Sequence, residues 1–331
     1  FKNQSIAITG TNGKSTTAKI LYDILLAEKK DVRLVGNIGN PILSEKKISK
    51  KTIFVIEASS YQLDYSKIFS SKFAIILNIS IDHIERHKNL KNYINAKFKI
   101  IDFQTKNSIA FVKKDDEFIN KKLKFSNFNS KIIKVDTKKN NKIFNQVNNK
   151  YFLTETNKEN LSFVFEISKR LKIKKKILLQ TIQKFKGLQY RQQIILKKKN
   201  LTIINDSKST SFASSLGILK VNPNIYWLIG GINKKNDKLN LPKKYHKNIK
   251  AFVFGKEKKF FNKALKNKIP YENFKNLDLA LQRIIMLINK DKFTHRTIIF
   301  SPSAASFDTF RNFEERGLYF NKLIKKYCNG I

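Results

Sequence analysis

The stretch at residues 6–17 has the residue types of a phosphate-binding loop, in the required order. Strand-forming residues 6–9 lead into a turn bracketed by Gly10 and Gly13, and Lys14 opens a helical pattern. Glycines let the backbone approach a polyphosphate closely, and the helix N-terminus adds partial positive charge. The sequence therefore predicts nucleotide binding by Gly10, Thr11, Asn12, Gly13, Lys14, Ser15 and Thr16.

This loop is shorter than the usual phosphate-loop pattern. In G-x-x-x-x-G-K-[ST] the first glycine would fall at position 8, where this chain has Ile8. We expect Lys14 to reach the outer phosphates and the hydroxyl of Ser15 or Thr16 to hold Mg²⁺. The alternative is an ordinary strand–turn–helix with a chance Gly-Lys pair.

Residues that could bind a metal follow two further predicted strands. Glu57 ends one and His83 follows the other, and the carboxyl ends of parallel strands meet at the edge where ligands bind. Lys97 lies on the next predicted helix, where an ammonium would repel Mg²⁺. A buried lysine can lose its proton and react with CO₂, and the resulting carbamate offers anionic oxygen ligands. The alternatives are a solvated loop histidine and an ordinary surface lysine.

The elements that must position these residues alternate between strands and helices, which predicts a parallel sheet covered on both faces. The stretch at 106–159 is rich in Lys and Asn and less periodic. The predicted strands of the first half are 6–9, 32–35, 52–56, 73–77, 109–112 and 150–153, and its predicted helices after the loop are 90–103, 161–171 and 177–185.

Beyond a predicted hinge at 187–191 the alternation restarts, without the G-x-G-x-x-G of a dinucleotide site. The predicted strands are 201–204, 225–229, 251–254 and 297–300, with helices at 213–219 and from Asp308 onwards. We predict an α/β protein of two domains. Residues 1–187 would form a central P-loop ATPase domain with a mostly parallel sheet, and residues 188–331 a C-terminal Rossmann-like α/β domain.

The net charge of +42 on 331 residues makes nucleic acid a possible partner. The lysines are spread along the chain, and clusters such as 174–176 and 197–199 lack interleaved aromatic residues, which favours a solvated surface. The runner-up from the residues alone is a basic NTPase that acts on nucleic acid. No apolar run approaches the roughly 20 residues that span a bilayer. The single Cys328 fits a reducing cytoplasm.

Several blocks of the chain resemble the Mur ligase family, and within it the branch that adds D-glutamate. The loop at 10–16 and the stretch at 78–83 are shared across the superfamily, including the folylpolyglutamate synthases. In one motif Ser303-Ala304 stands where the family usually has Ala-Cys. The more specific blocks are 36–41, 57–63, 82–87, 205–210, 230–234 and 301–317.

The resemblance implies an ATP-dependent ligase of peptidoglycan precursor synthesis. ATP would phosphorylate the carboxylate of UDP-N-acetylmuramoyl-L-alanine, and the amine of D-glutamate would attack the acyl phosphate. The family has an N-terminal uridine-nucleotide domain, which we expect to precede Phe1. A folylpolyglutamate synthase-like ligase is the alternative within the superfamily. We expect a cytoplasmic monomer with no nucleic-acid or membrane partner.

The resemblance also assigns roles to single positions. It implies two Mg²⁺ sites, one held through Ser15 and one through Glu57, His83 and a carbamoylated Lys97. Lys14, His83 and Lys97 would be catalytic, Arg191 would reach the ATP phosphates, and Asp206 the ribose. The implied substrate-binding residues are Asn37, Ser59 and His83 and, for D-glutamate, Lys208, Thr210, Lys234, Ser306, Phe307 and Phe313.

Each D-glutamate assignment has a structural alternative. Phe307 and Phe313 could be core residues of the last helix, and Ser306 could lie beside its N-cap. Lys208 and Lys234 could be two of many surface lysines.

Overall fold

The structure, a computed structural model, describes residues 3–138, 146–234, 237–290 and 295–328. The chain divides into two compact units, Phe1–Phe185 and Lys186–Ile331. Each has a mostly parallel sheet with helices, which confirms the predicted α/β fold. The assignment of residues 1–187 and 188–331 to an ATPase and an amino-acid-binding domain stays a prediction. In the described residues no helix is long and apolar enough to cross a membrane.

The first unit is built on a sheet of six parallel strands within the described residues, in the order β2-β3-β1-β4-β5-β6. Its strands are β1 (Ser5–Thr9), β2 (Val32–Gly36), β3 (Ile53–Glu57), β4 (Phe73–Ile76), β5 (Ile109–Lys113) and β6 (Lys131–Val135). The central strand β1 is apolar on both faces, as a strand covered on two sides must be. Ile6 and Ile8 face one core and Ala7 the other.

Helices cover both faces of this sheet. Residues of α1, α6 and α7 share the core of Ile6 and Ile8, whereas residues of α4 and α5 share the core of Ala7. The helices are α1 (Lys14–Ala27), α2 (Ser60–Tyr65), α3 (Ile84–His87), α4 (Leu90–Asp102), α5 (Glu117–Lys124), α6 (Glu155–Arg170) and α7 (Lys175–Lys184). The helix α1 therefore starts at the loop lysine, directly after β1.

The predicted strand at 150–153 is wrong. Lys150–Leu153 is a short 3-10 helix, and the side chain of Asn149 accepts a hydrogen bond from the Tyr151 amide at 2.9 Å. Tyr151 and Phe152 pack against Phe185 with ring centroids 5.2 and 5.8 Å away. Because both rings are buried, the sequence at this point is apolar in a pattern that resembles a strand. The other predicted strands of this unit are confirmed to within one residue at each end.

The second unit has a sheet of six strands in the described residues, in the order β11-β10-β9-β12-β8-β7, with β7 antiparallel to β8. Four of these were predicted, whereas the edge strands β7 and β11 were not. The strands are β7 (Gln193–Lys197), β8 (Leu201–Asn205), β9 (Ile225–Gly230), β10 (Ile249–Phe254), β11 (Tyr271–Asn273) and β12 (Arg296–Phe300), and the helices are α8 (Phe212–Val221), α9 (Lys258–Leu265), α10 (Leu277–Lys290) and α11 (Phe313–Cys328).

The last helix begins later than predicted. It starts at Phe313, not at Asp308, because the side chain of Asn312 accepts a hydrogen bond from the Glu315 amide at 2.8 Å and caps the helix there. The preceding residues form a turn in which the Ser306 carbonyl accepts the amides of Thr309 and Phe310. Residues 307–312 are therefore a loop that follows the exit of β12.

Candidate active site

The predicted phosphate loop connects β1 to α1. Gly13 has φ = 87°, a left-handed conformation that favours glycine, and the loop is fastened to the exit of β4 through Asn78. The Asn78 carbonyl accepts the Thr11 amide at 2.9 Å, and its side-chain oxygen accepts the Asn12 amide at 2.9 Å. The loop backbone is thus held at two successive amides before α1 begins.

Lys14 lies over its own loop. Its ammonium donates to the carbonyls of Gly10 and Thr11, each at 2.9 Å. The side chains of Ser15 and Thr16 are buried at the start of α1. The Thr16 hydroxyl lies 3.3 Å from the hydroxyl of Tyr151. Lys14, Ser15 and Thr16 thus place a cation and two hydroxyls at a helix N-terminus, as expected of an anion-binding site.

Lys97 on α4 is 1% exposed, which excludes an ordinary surface lysine. Its ammonium donates to the Gly10 carbonyl at 2.7 Å, the same oxygen that accepts from Lys14. It also lies 4.6 Å from the ring centroid of Tyr93. Burial, followed by the nearby charge of Lys14, lowers the pKa of Lys97 well below its usual value, against an opposing effect of Asp82. Compared with a solvated lysine, this site therefore shifts Lys97 towards the neutral amine, the form that reacts with CO₂.

Glu57 ends β3 with a buried carboxylate. One of its oxygens accepts from the Asn37 amide side chain at 2.9 Å, and the other has no hydrogen-bond partner among the described residues. The Asn37 backbone amide also donates to the Glu57 carbonyl at 2.9 Å. A Cβ on Gly36 would lie 2.3 Å from that carbonyl, so glycine is needed for this approach. An unpartnered buried carboxylate oxygen suits a hard cation.

His83 precedes α3 in a left-handed conformation, with φ = 52°. Its Nδ1 lies 3.0 Å from the Tyr61 hydroxyl, and its Nε2 lies 3.5 Å from the Asp82 carboxylate. Its side chain is 42% exposed, as a loop histidine or a ligand at the sheet edge would be. Ser59 caps α2 through a capping box with Gln62, so its hydroxyl has a structural role in this structure.

Glu57 and His83 are side chains that can bind a divalent metal, whereas an unmodified lysine is not. In the part of the chain that the structure describes, no group of three or more His, Cys, Asp or Glu could hold a metal ion. Glu57 supplies one carboxylate with a free oxygen, and His83 one imidazole. A carbamate on Lys97 would add the second anionic ligand, which the unmodified lysine cannot supply.

In the second unit, Asp206 follows β8 and is buried. Its carboxylate accepts from the Gln192 amide at 3.0 Å and from the Ser301 hydroxyl at 2.8 Å. Burial raises its pKa to about 7, against the opposing effects of these hydrogen bonds and of Arg191. The half-buried Arg191 is thus electrostatically coupled to Asp206.

The predicted D-glutamate residues come from one helix of this unit and from three loops, which follow β8, β9 and β12. The Lys208 ammonium lies 3.7 Å from the ring centroid of Phe313, a close cation–π contact. Ser306 is buried, and α11 begins seven residues after it, so it is not next to that helix's cap. Phe307 is 71% exposed, which excludes a core role. Thr210 and Lys234 are also exposed.

Residues 8–179 match the family described as the Mur ligase middle domain. The chain is 35% identical to the UDP-N-acetylmuramoylalanine–D-glutamate ligase of Rickettsia felis and 36% identical to that of Rickettsia prowazekii. These alignments cover 98% and 97% of this chain and 76% of each relative. The chain belongs to the Mur ligase family. It is an ATP-dependent ligase.

Solved structures of Mur ligases and of a folylpolyglutamate synthase share this fold. The MurF ligase of Thermotoga maritima in complex with ADP matches at a TM-score of 0.70 and 16% identity, over 98% of this chain and 81% of that one. A bifunctional folylpolyglutamate synthase/dihydrofolate synthase from Yersinia pestis, with AMPPNP and Mn, matches at 0.65 and 13%, over 98% and 90%. Both support the fold of a Mur ligase.

Sequence reasoning missed Asn160 on α6. This buried side chain lies against the loop, since a Cβ on Gly13 would be 2.1 Å from its oxygen, and neither of its polar atoms has a partner among the described residues. A buried side-chain amide without hydrogen-bond partners costs free energy unless a bound ligand supplies those partners. Asn157 and Asn160 lie about one helical turn apart, but the many asparagines of this stretch hid the signal.

Arg316 on α11 was also missed. It is 1% exposed, and its guanidinium donates to the carbonyls of Ser207 at 2.8 Å and Ala304 at 2.9 Å. Burial lowers its pKa to about 10, against the opposing charges of Asp308 and Asp206. Arg316 therefore joins the loop after β8 to the loop after β12 in this Mur ligase. Its place in the 301–317 motif was the available signal.

Proposed function

We propose that this Mur ligase adds D-glutamate to UDP-N-acetylmuramoyl-L-alanine, with ATP, in peptidoglycan precursor synthesis. The observation that carries the proposal is the convergence of Lys14 and Lys97 on the carbonyl of Gly10, beside a phosphate loop. Relatives that bear this activity in their names align with nearly the whole chain.

The reaction needs an activated carboxylate, because a carboxylate is a poor electrophile. One carboxylate oxygen of the muramoyl substrate would attack the γ-phosphorus of ATP, releasing ADP and forming an acyl phosphate. The amine of D-glutamate would then attack the carbonyl carbon and lose a proton. The tetrahedral intermediate would release inorganic phosphate and leave the new amide bond.

The phosphate loop, residues 10–16, would bind the ATP phosphates. Lys14 would leave its own loop carbonyls to offset the charge of the transferring phosphoryl group. Arg191 would contact the phosphates and Asp206 the ribose. The amide of Asn160, buried against Gly13, would complete its hydrogen bonds on the nucleotide.

Two metal positions accompany this nucleotide in the proposal. Ser15 would hold the first metal, and Glu57, His83 and the carbamate of Lys97 the second. The free oxygen of Glu57 and the lowered pKa of the buried Lys97 support this assignment. Mg²⁺ bound there would neutralise charge on the transferring phosphoryl group. Asn37, which orients Glu57, would also face the muramoyl substrate together with Ser59 and His83.

The second unit would bind D-glutamate. Lys208 and Lys234 would pair with its two carboxylates, since charge-assisted hydrogen bonds favour such anions. Phe313, already in contact with Lys208, would pack against the carbon chain. Thr210, Ser306 and Phe307 would complete the pocket. We further propose that the ligase works as a monomer in the cytoplasm.

The acceptor amino acid is a direct test of this assignment. With ATP and UDP-N-acetylmuramoyl-L-alanine present, we expect product only with D-glutamate, because a cationic pocket suits two carboxylates and rejects a second ammonium. The acceptor is identified by measuring phosphate release and product mass with each of four compounds: D-glutamate, L-lysine, meso-diaminopimelate and a folate-linked glutamate. Equal use of L-lysine or meso-diaminopimelate would contradict the proposal, and use of the folate compound would favour the synthase alternative.

The basic charge of the chain gives a second test, against a nucleic-acid-dependent NTPase. We expect ATP consumption to depend on the amino acid and the muramoyl substrate and not to respond to DNA or RNA. ATPase rates would be compared with each addition at low and moderate salt, because non-specific nucleic-acid binding falls steeply with salt. If single-stranded nucleic acid stimulated ATP consumption and the two substrates did not, the chain would be a nucleic-acid-dependent NTPase and not this ligase.

A further inference from the structure

A group of buried serines lies behind the two loops of the second unit. We call Ser209, Ser215, Ser301 and Ser303 the hydroxyl cluster. Each is at most 3% exposed. Hydroxyls buried to this degree must satisfy one another, because water does not reach them.

Ser215, on α8, is the centre of this cluster. Its hydroxyl lies 2.7 Å from that of Ser209 and 2.6 Å from those of both Ser301 and Ser303. A serine hydroxyl has one donor and two acceptor positions, so these three neighbours use its full capacity. A single side chain thus links three others, at sequence separations of 6, 86 and 88 residues.

The cluster joins the loops that carry the proposed D-glutamate residues. Ser209 stands between Lys208 and Thr210 in the loop after β8, and Ser303 lies three residues before Ser306 in the loop after β12. Ser301 adds a second connection, since it donates to the Asp206 carboxylate at 2.8 Å. Through Ser215, the helix α8 therefore holds both loops at a set separation.

Ser303 makes its contact with Ser215 from an unusual backbone conformation. Ser303 has φ = 56°, a conformation that costs energy for a residue other than glycine. Alanine could not make the contact, because the atom that approaches Ser215 is the Ser303 hydroxyl oxygen. Ser303 is thus an additional link between the loop after β12 and α8.

We propose that Ser215 is a positioning residue of the D-glutamate subsite. It sets the distance of Lys208 and Thr210 from Ser306, and it touches no substrate itself. The proposal rests on the function proposed above for the surrounding loops. Arg316 joins the same loops through the carbonyls of Ser207 and Ala304, so loss of the Ser215 hydroxyl loosens them without releasing them.

The first measurement needs no substrate. Ser215→Ala removes one hydroxyl from a helix that tolerates alanine well. We expect faster amide hydrogen exchange in both loops, at residues 206–211 and 301–306, with the first unit unchanged. The matched control is Ser162→Ala, a buried serine on α6 whose hydroxyl donates within its own helix, to the Lys158 carbonyl. Unchanged exchange in either loop of Ser215→Ala would overturn the proposal.

The second measurement is kinetic. One buried hydrogen bond contributes on the order of a factor of ten in an equilibrium constant. We therefore expect Ser215→Ala to raise KM for D-glutamate about three- to tenfold, with kcat and KM for ATP within about twofold. Ser303→Ala should give a smaller rise in KM for D-glutamate. In the double variant, the fold-rise in KM should be less than the product of the two single fold-rises, because both changes remove the same contact.

The outcomes separate this proposal from the proposed function. A wild-type enzyme that makes no product with D-glutamate overturns the function, and the exchange measurement then decides whether Ser215 couples the loops. An active wild type whose Ser215→Ala variant has a lower melting temperature but an unchanged KM for D-glutamate overturns the positioning role alone. Multiplicative effects of Ser215→Ala and Ser303→Ala would show that the two hydroxyls act independently, against the proposal.

Discussion

Lys14→Ala is expected to lower the affinity of the chain for Mg²⁺–ATP by up to about a hundredfold. A hydrogen bond to a charged group contributes up to about 3 kcal/mol, which corresponds to about two powers of ten. Lys14 is the first residue of α1, and its ammonium, which donates to two loop carbonyls in this structure, would move from them to the outer phosphates. Isothermal titration with ATP or a non-hydrolysable analogue measures the effect directly.

The matched control for this result is Lys19→Ala. Lys19 is on the same helix, but its side chain is 34% exposed and pairs with Asp23. We expect this variant to bind ATP like the wild type, because it changes the net charge equally without touching the loop. Near-normal affinity in Lys14→Ala, or an equal loss in both variants, would contradict the phosphate-loop assignment.

Lys97→Ala is expected to abolish turnover, with partial recovery on addition of a small carboxylic acid. Carbamoylation turns a positive charge into a negative one beside the metal position. Unit charges 4 Å apart interact by about 4 kcal/mol at an effective dielectric near 20, so reversing this sign outweighs most single contacts. The vacated space would admit acetate or formate, whose carboxylate would replace the carbamate oxygens.

Two further variants keep the Lys97 result interpretable. Lys97→Met fills the space, so we expect it to fold, to be inactive and to resist rescue. Lys99→Ala, on the same helix, removes a lysine that bonds to the Asp64 carbonyl and lies away from the loop, and it should stay active. Full activity in Lys97→Ala, or a metal-bound crystal without density for the extra carboxyl group, would remove Lys97 from the metal site.

The sequence predicted well those features that depend on neighbouring residues. The strand, turn and helix around Gly10 and Lys14 follow from local preferences, and so do most strands of both sheets. Edge strands β6, β7 and β11 were missed because an edge strand is half exposed and lacks the continuous apolar run of a central strand. The start of α11 was misplaced because its capping residue, Asn312, was not recognised.

The features that sequence reasoning missed depend on contacts between distant segments. Asn160 lies in a stretch where asparagine is common, and only its approach to Gly13 distinguishes it. Arg316 and Ser215 each join loops that follow β8 and β12, and no local pattern shows which serine or arginine does so. Proximity in space, and not spacing in the chain, separates these residues from others of their type.

The burial of Lys97 is a feature that the tertiary structure determines and the local sequence does not. The sequence by itself determined the phosphate loop, the α/β fold and a helix that carries this lysine, because each of these follows from local residue preferences. An ammonium is normally solvated, so a lysine in a helical pattern is read as exposed. Only the packing of α4 against the exit of β1 buries Lys97 and brings its nitrogen to the Gly10 carbonyl, 87 residues earlier in the chain. The low dielectric of that packing favours the neutral amine, the form that carbamoylation requires.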